Sequence, residues 1–169
     1  MASTTDIYLI RHGIAADRAE YDFDEDRPLT NEGKQKTQKI AKRLKEDFKL
    51  HFDPILTSPL RRTQQTAEIL QKAGLATQIE EYHHLAPAGD IKTWLDWLDK
   101  WQQTGGSTLA LVGHEPNLGN WAEILVWGEP RGALVVKKAG VIGLSLPETG
   151  SPLGRCSLFL LAPPKFLLS

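Results

Sequence analysis

The sequence predicts an α/β protein, a three-layer α/β/α sandwich around a mixed, mostly parallel sheet. Short apolar runs alternate four times with longer segments whose apolar residues recur at helical spacing. Further apolar runs follow in the last third, and the short Gly- and Pro-containing connections between them are typical of antiparallel pairing at the end of a sheet. Because 169 residues suffice for one compact core, we expect a single domain over residues 1–169.

The first predicted strand, residues 7–10, ends abruptly in Arg11, His12 and Gly13. Open α/β sheets bind ligands at the carboxyl ends of their strands, and glycine lets the backbone turn close to a ligand. The acidic loop that follows, residues 17–26, has part of the aspartate spacing of a calcium loop but lacks its glycine and its final glutamate. We expect a solvated loop there, and its role stays open.

Each of the four predicted helices has a boundary signal and an apolar stripe. Thr30 is expected to cap the first helix, Ser58 with Pro59 to begin the second and Asp90 to cap the third, and Gly128 is expected to end the fourth. The stripes, in chain order, are Thr37, Ile40, Ala41, Leu44 and Phe48; Leu60, Thr63, Ala67 and Leu70; Ile91, Trp94, Leu95, Leu98 and Trp101; and Leu118, Trp121, Ala122, Leu125 and Val126.

The other predicted strands are short, and all except residues 77–80 are mainly apolar. His83 and His84 follow one of them in a loop, and separate surface or packing roles are the better interpretation because neighbours on an extended chain point apart. Cys156 is expected to pack as a small apolar residue. These predicted strands cover residues 55–57, 77–80, 109–112, 134–136, 141–146 and 157–160.

Three apolar runs end in basic side chains: Arg11 and His12 after the first, Arg61 and Arg62 after the second, and His114 after the fourth. If the strands are parallel, these ends meet at one edge of the sheet. Such a cluster repels itself unless it holds an anion, and phosphate or sulfate fits because guanidinium groups bind its oxygens bidentately. A bound anion would also offset the cost of placing arginines at a helix N-terminus.

These residue types favour nucleophilic catalysis at phosphorus. A neutral imidazole attacks phosphorus, and nearby arginines favour the neutral form of His12 by lowering its pKa. His114 and the arginines would stabilise the charge on the transferred group, so we expect no metal and no other cofactor. A metal site made by His12 and His114 is disfavoured because the arginines would repel a cation.

Composition excludes several classes of function. The net charge of −1, from 20 basic and 21 acidic residues, gives no support for a nucleic-acid partner. A single cysteine excludes a disulfide within the chain and a cysteine metal cluster. The polar N-terminus lacks a signal core, and no apolar segment is long enough to span a bilayer. We therefore expect a cytoplasmic protein with no membrane partner.

At residues 9–13 the chain resembles the histidine phosphatase superfamily, also called phosphoglycerate mutase-like. Residues 58–67 look like that family's second arginine motif, and Gly113 with His114 matches its later histidine. Similarity over residues 26–33, and also over 85–90 and 114–118, narrows the resemblance to the SixA-type phosphohistidine phosphatases.

This resemblance implies a fold and a set of roles. It implies a phosphoglycerate mutase-like sandwich in which His12 is the nucleophile and Arg11, Arg62 and His114 form the phosphate pocket. It selects Arg62 over Arg61, whose role stays open.

One departure from the wider family bears on the substrate. Pro87 stands where many members carry the glutamate that protonates a leaving oxygen. General acid help is worth about 10²–10⁴-fold for such a leaving group, whereas a phosphoramidate can leave as protonated imidazole. We therefore expect the partner to be a histidine-phosphorylated protein, such as a phosphotransfer domain. Asp17, Asp90 and Glu115 are the candidate replacement acids.

Two alternatives remain. A small-molecule phosphomonoesterase on the same scaffold would require the missing acid. A non-catalytic phosphate-binding protein would not require a nucleophile, so the complete set of Arg11, His12, Arg62 and His114 argues against it.

Overall fold

The computed structural model describes residues 4–169, which form a six-stranded sheet flanked by helices. Short 3-10 turns lie at Arg18–Glu20, Asp24–Asp26 and His83–Leu85. The strands are β1 Asp6–Arg11, β2 Ile55–Thr57, β3 Ile79–Glu81, β4 Thr108–Gly113, β5 Val141–Ser145 and β6 Ser157–Ala162. The helices are α1 Asn31–Glu46, α2 Arg61–Lys72, α3 Ile91–Gln103, α4 Asn117–Trp127 and the single-turn α5 Pro164–Leu167.

The strand order is β3-β2-β4-β1-β5-β6. Strands β1 to β4 are mutually parallel, and β5 runs antiparallel to both β1 and β6. This arrangement confirms the predicted mixed sheet with its antiparallel pairing at the end. In the register, Arg11 lies opposite Gly113, and Thr57 lies opposite Val112. The sequence that follows β1, β2 and β4 therefore emerges at one edge of the sheet.

Alternating strand residues supply the two faces of the core, as expected for strands buried on both sides. On β1, Ile7 and Leu9 pack with α3 and α4, whereas Tyr8 and Ile10 pack with α1, α2 and α5. The tryptophans Trp94, Trp101 and Trp121 are buried on the first face, which confirms their predicted core role. Helices on both faces of the sheet make the three-layer sandwich.

Capping residues in the sequence correctly predicted most of the helix ends. Thr30 caps α1 by accepting a hydrogen bond from the N–H of Gly33 at 2.9 Å, and Asp90 caps α3 by accepting from Lys92 at 3.0 Å. Gly128 follows α4 with a φ of 90°, where the left-handed conformation favours glycine. Cys156 is buried, as predicted.

Three predictions about elements are wrong. Helix α2 begins at Arg61 after Leu60, not at Ser58, whose hydroxyl instead lies at 2.7 Å from a histidine ring. Residues 134–136 form no strand, because the carboxylates of Glu123 and Glu115 accept from the N–H groups of Leu134 and Val136. Phe48 lies beyond the end of α1 and is exposed.

Within residues 4–169, none of the helices combines the length and the apolar character needed to cross a membrane.

Candidate active site

The ends of β1, β2 and β4 bring four basic side chains together. Arg11 is the last residue of β1 and His12 follows it, Arg62 lies in the first turn of α2 after β2, and His114 directly follows β4. The rings of His12 and His114 lie 5.3 Å apart between centroids, and Nε of Arg62 lies 3.3 Å from Nε2 of His12. The structure thus places all four sequence-predicted residues around one small volume.

The hydrogen bonds of His12 define its tautomer. Nδ1 lies 2.7 Å from the carbonyl oxygen of Gly13, which can only accept, so Nδ1 carries the proton. Nε of Arg62 donates to Nε2, so Nε2 holds a lone pair. The His12 side chain is 6% exposed and presents that lone pair toward the guanidinium group.

Gly13 allows this arrangement because the chain is crowded there. A Cβ atom at Gly13 would lie 2.5 Å from Oγ1 of Thr37 on α1. The N–H of Gly13 also donates to Oγ1 of Thr66 on α2 at 3.2 Å. Both helices therefore fix the carbonyl that orients the His12 ring.

Burial and neighbouring cations keep His12 neutral. Burial is the largest of the effects that lower the pKa of His12. The hydrogen bond with the Gly13 carbonyl raises this pKa, whereas the charges of Arg62, Arg11 and Lys138 lower it further, and the resulting pKa is about 3. The direction is the one expected from the sequence, but desolvation contributes more than the arginines do. At neutral pH the imidazole is therefore unprotonated at Nε2.

His114 is buried on the other side of the pocket, and Ser58 orients it. Oγ of Ser58 lies 2.7 Å from Nε2 of His114 and 2.8 Å from Oγ1 of Thr63. Burial, then His12 and Arg62, lower the pKa of His114 to about 3. Sequence reasoning assigned Ser58 to a helix cap, and only its contact with His114 identifies it as a positioning residue.

Arg62 is almost fully buried, and a carboxylate that the sequence did not single out neutralises it. Its Nη1 donates to the carbonyl of Asp24 at 2.9 Å, and its Nη2 pairs with the Asp24 carboxylate at 3.0 Å. Burial raises the pKa of Asp24, but hydrogen bonds and charge from Arg62 and Arg27 outweigh it and hold the pKa below its usual value. The expectation of a merely solvated loop over residues 17–26 is therefore wrong at Asp24.

Two buried polar atoms at the site have no hydrogen-bond partner within residues 4–169: Nε of Arg11 and Nδ1 of His114. Nη1 of Arg11 donates to the carbonyl of Val136 at 3.2 Å, which fixes the guanidinium group at the end of β1. A buried polar atom without a partner is costly. An anion with several acceptor oxygens would satisfy such donors.

The three candidate acids differ in position. Asp17 and Asp90 are exposed. Asp17 caps the 3-10 turn Arg18–Glu20 and Asp90 caps α3, and each carboxylate accepts a hydrogen bond from a backbone N–H group. Glu115 is partly buried, and its two oxygens accept from the N–H groups of Gly119 at 2.6 Å and Val136 at 3.3 Å. Burial raises the pKa of Glu115, although these hydrogen bonds and Arg11 oppose the rise.

Within residues 4–169, no hydrogen bond joins a side chain of the loop at residues 83–90 to the four basic side chains. His83 is exposed, and Nδ1 of His84 accepts from the N–H of Asp90 at 3.2 Å. Arg61, next to the buried Arg62, is also exposed. These side chains therefore lie outside the cluster of four.

The arrangement places the lone pair of His12 beside several hydrogen-bond donors that could bind an anion. Nε2 of His12 holds a lone pair in a neutral ring, which is the form that can act as a nucleophile, and donors of Arg11, Arg62 and His114 lie around it. Such preorganised donors stabilise charge that develops on transferring phosphoryl oxygens. Among residues 4–169, no group of three or more His, Cys, Asp or Glu side chains is arranged to hold a metal ion.

Comparison with known proteins gives a consistent result. A family model for the histidine phosphatase superfamily (branch 1) matches residues 7–104. An uncharacterized protein of Picosynechococcus sp. strain PCC 7002 is 46% identical over 167 residues, which is 96% of this chain and 99% of that protein. Phosphohistidine phosphatase SixA of Escherichia coli strain K12 is 28% identical over 147 residues, covering 86% of this chain and 88% of SixA.

Solved structures match over nearly the whole chain. The structure of the protein histidine phosphatase SixA complexed with tungstate aligns with a TM-score of 0.83 and 25% identity, covering 96% of this chain and 99% of that one. Phosphoglycerate mutase from Bacillus anthracis strain Sterne aligns with a TM-score of 0.73 at 15% identity, covering 98% of this chain and 96% of the mutase. This second match concerns the fold alone.

Proposed function

The chain belongs to the histidine phosphatase superfamily, and on this basis we propose that it is a phosphatase that acts through a phosphohistidine intermediate on His12. Its substrate is phosphohistidine on a phosphotransfer protein. The proposal treats residues 1–169 as one histidine-phosphatase domain and places the protein in the cytoplasm, in phosphotransfer signalling.

One observation carries the proposal. Nε2 of His12 holds a lone pair in a buried, neutral ring, and it faces a pocket where Nε of Arg11 and Nδ1 of His114 have no partner within the described residues. A binding protein needs the donors but has no use for the nucleophile. This observation therefore favours catalysis over a non-catalytic phosphate-binding role.

The reaction follows in two steps. Nε2 of His12 attacks phosphorus, a new P–N bond forms, and the P–N bond of the substrate breaks. The substrate ring leaves as neutral imidazole, because its other nitrogen already carries a proton before the bond breaks. Water then attacks the phosphorylated His12, releases inorganic phosphate and restores the free imidazole. Arg11, Arg62 and His114 stabilise the oxygens of the transferred group in both steps.

The chain itself supplies the positive charge for both steps. We propose that they proceed without a metal ion. Retention of full activity in the presence of a chelator such as EDTA would support this part of the proposal, and loss that Mg²⁺ restores would contradict it.

Two observations support a P–N substrate. Pro87 occupies the loop position where a proton-donating glutamate would be expected, and phosphohistidine needs that donor less than an ester does. SixA of Escherichia coli, 28% identical to this chain, is named a phosphohistidine phosphatase. A histidine-phosphorylated protein is therefore the substrate class that the site fits best.

The phosphomonoesterase alternative depends on Glu115. Its pKa is raised by burial, as a proton donor requires. Against that role, both of its oxygens are engaged by the N–H groups of Gly119 and Val136. Because these hydrogen bonds favour the ionised form of Glu115, they weaken it as a proton donor for an ester substrate.

Single-turnover hydrolysis tests the proposal. A histidine-phosphorylated phosphotransfer protein and p-nitrophenyl phosphate would each be mixed with wild type, His12→Ala and Glu115→Gln. We expect fast dephosphorylation of the protein that His12→Ala abolishes and Glu115→Gln preserves, with slow ester cleavage. Fast ester cleavage that depends on Glu115, with the phosphoprotein untouched, would support the alternative. Bound phosphate with no turnover of either substrate would indicate a binding protein.

A further inference from the structure

A basic groove adjoins the active site at Arg11. Its wall is formed by the end of β1, the face of α1, the turn before β5 and the C-terminal helix α5. Five cationic side chains line it together with one exposed ring: Arg11, Lys36, Lys137, Lys138, Lys165 and Phe166. The groove has a volume of about 700 Å³ and is open to solvent.

Backbone hydrogen bonds hold this groove against the catalytic strand. The N–H of Ala139 lies 3.1 Å from the carbonyl oxygens of Arg11 and of His12, and the N–H of Arg11 donates to Gly140 at 3.2 Å. The N–H of Gly140 closes a tight turn onto the carbonyl of Lys137 at 2.7 Å. Lys137 and Lys138 therefore project from a turn that is bonded directly to the nucleophile's own segment.

The Ala139 backbone makes this turn unusual. Ala139 has a φ of 61°, a left-handed conformation that costs a non-glycine residue free energy and is kept where the surroundings enforce it. The side chain is buried with Tyr8 and Val141. The turn thus fixes the backbone from which Lys137 and Lys138 extend beside the pocket.

The groove keeps most of its positive charge, although the charge of Glu115 acts on Arg11. In the part of the chain that the structure describes, none of the five cationic groups forms an ion pair, and no carboxylate lines the groove. The whole chain carries a net charge of −1, so this concentration of positive charge is local. An acidic surface would complement it.

Apolar surface accompanies the charge. Phe166 is 65% exposed, Nζ of Lys165 lies 5.1 Å from the centroid of its ring, and Pro163 and Pro164 continue the wall. Aromatic side chains among polar groups are typical of protein interfaces. The mixture fits an acidic protein segment that carries apolar groups beside its carboxylates.

We infer that this groove docks the phosphoprotein substrate through an acidic patch beside its phosphohistidine. The inference rests on the proposed function and adds the character of the partner. The acidic loop reaches the site at Arg62 through Asp24, whereas the groove reaches it at Arg11. A partner whose acidic patch lies on one side of its phosphohistidine is therefore held in one orientation over His12.

Defined peptides test the inference. Three phosphohistidine peptides would be identical except for flanks of glutamate, glutamine or lysine. The enzyme would be wild type, the groove variant Lys137→Glu/Lys165→Glu, and the control variant Lys92→Glu/Lys100→Glu. The control changes the net charge equally, and its exposed lysines lie on α3, across the sheet from α1 and α5.

For wild type, we expect kcat/KM for the glutamate-flanked peptide to exceed that for the glutamine-flanked peptide roughly tenfold, at the lower end of electrostatic steering. The groove variant should lose or reverse this preference while it still hydrolyses the glutamine-flanked peptide at the wild-type rate. The control variant should keep the preference. Added salt should weaken the preference of the wild type for the glutamate-flanked peptide, because salt screens charges exposed to solvent.

Equal kcat/KM for all three peptides with wild type would overturn the inference and leave the proposed function standing. The same loss of preference in both double variants would also overturn it, since net charge and not the groove would then decide. Hydrolysis of p-nitrophenyl phosphate without hydrolysis of any phosphohistidine peptide would instead overturn the proposed function, and the docking inference with it.

Discussion

Arg61 and Arg62 are neighbours in the sequence but have opposite surroundings. Arg62 is 4% exposed and donates to Nε2 of His12, whereas Arg61 is exposed on the outer side of α2. Consecutive helix positions point about 100° apart, so only one of the two can face the pocket.

This contrast gives a matched pair of variants. Arg62→Lys keeps the charge but loses the planar fork that binds phosphate oxygens, so we expect kcat/KM to fall about 10²-fold, as for the loss of one preorganised donor. Arg61→Lys should leave kcat/KM unchanged. Steady-state kinetics on the same substrate measures both, and equal losses would show that burial does not distinguish the two side chains.

At the residue scale, sequence reasoning found the groups that follow strands and missed the groups that approach from elsewhere. Arg11, His12 and His114 each lie directly after an apolar run, so their shared position follows from local pattern and parallel pairing. Asp24 and Ser58 acquire their roles from contacts made 38 and 56 residues away. Periodicity and capping signals carry no information about such distant partners.

Asp24 pairs with the guanidinium group of Arg62, which we propose binds the phosphate. Asp24→Asn keeps an oxygen that can accept from Nη2 of Arg62 but removes the negative charge. We expect inorganic phosphate to inhibit this variant more strongly, by about fivefold for about 1 kcal/mol of removed repulsion. Asp26→Asn, an exposed residue of the same 3-10 turn, is the control. Unchanged inhibition constants in Asp24→Asn would mean that the carboxylate does not compete with phosphate.

At the element scale, the loop at residues 131–136 shows why a strand-like pattern can mislead. Leu134, Val135 and Val136 have strand composition, but the buried carboxylate of Glu123 accepts from four consecutive N–H groups, those of Arg131, Gly132, Ala133 and Leu134. A carboxylate that satisfies a loop backbone competes with sheet pairing for the same N–H groups. The loop then leads to Val136, which holds Arg11.

The charge of Glu123 therefore stabilises this loop. Burial raises its pKa, but the four backbone hydrogen bonds outweigh burial and hold the pKa below its ordinary value. A depressed carboxylate pKa contributes stability above the unfolded-state pKa, and that contribution is lost as pH falls through the folded-state pKa.

We expect Glu123→Gln to lower the urea midpoint at pH 7, because its amide N–H₂ group would face backbone donors. The difference in urea midpoint between wild type and Glu123→Gln should shrink as pH falls below about 4, which is near the ordinary pKa of a glutamate. Glu129→Gln, which changes an exposed residue at the start of the same segment, should have little effect at either pH. A pH-independent difference would contradict the role of the charge.

At the scale of the whole molecule, the fold class was predictable from the sequence, but the order of the strands in the sheet was not. Four βα units and a terminal pair of strands follow from alternation of apolar runs with helical stripes. The strand order, with β1 between β4 and β5, depends on which strands pack side by side, and that choice is made by the assembled core. The same applies to α5, a single turn without a stripe of its own.

Two buried, neutral histidines make the stability of the molecule sensitive to acid. The pKa values of His12 and His114 are lowered to about 3 by burial and nearby cations, whereas an unfolded histidine has a pKa of about 6.5. Between these values the unfolded chain binds more protons than the folded one, so stability falls as pH falls. Each histidine contributes up to about 1.4 kcal/mol per pH unit in that window.

We therefore expect the unfolding free energy of the wild type to fall between pH 7 and pH 5 in phosphate-free buffer, as measured by urea denaturation. His12→Gln and His114→Gln should each make this dependence shallower. A slope that neither substitution changes would show that other groups cause the acid sensitivity. Added phosphate should protect the wild type, because an anion in the pocket stabilises the folded state.

The position of β1 also governs when the molecule becomes active during its synthesis. Asp6 on β1 pairs with Thr108 on β4 and with Ser145 on β5. Strand β1 is synthesised before the other strands, but it cannot pair until β4 and β5 have also been synthesised. Such long-range pairing is slow to form and leaves intermediates with open strand edges. A nascent chain therefore carries Arg11 and His12 long before it has a phosphate pocket, and a prematurely ended chain would keep the motif without the enzyme.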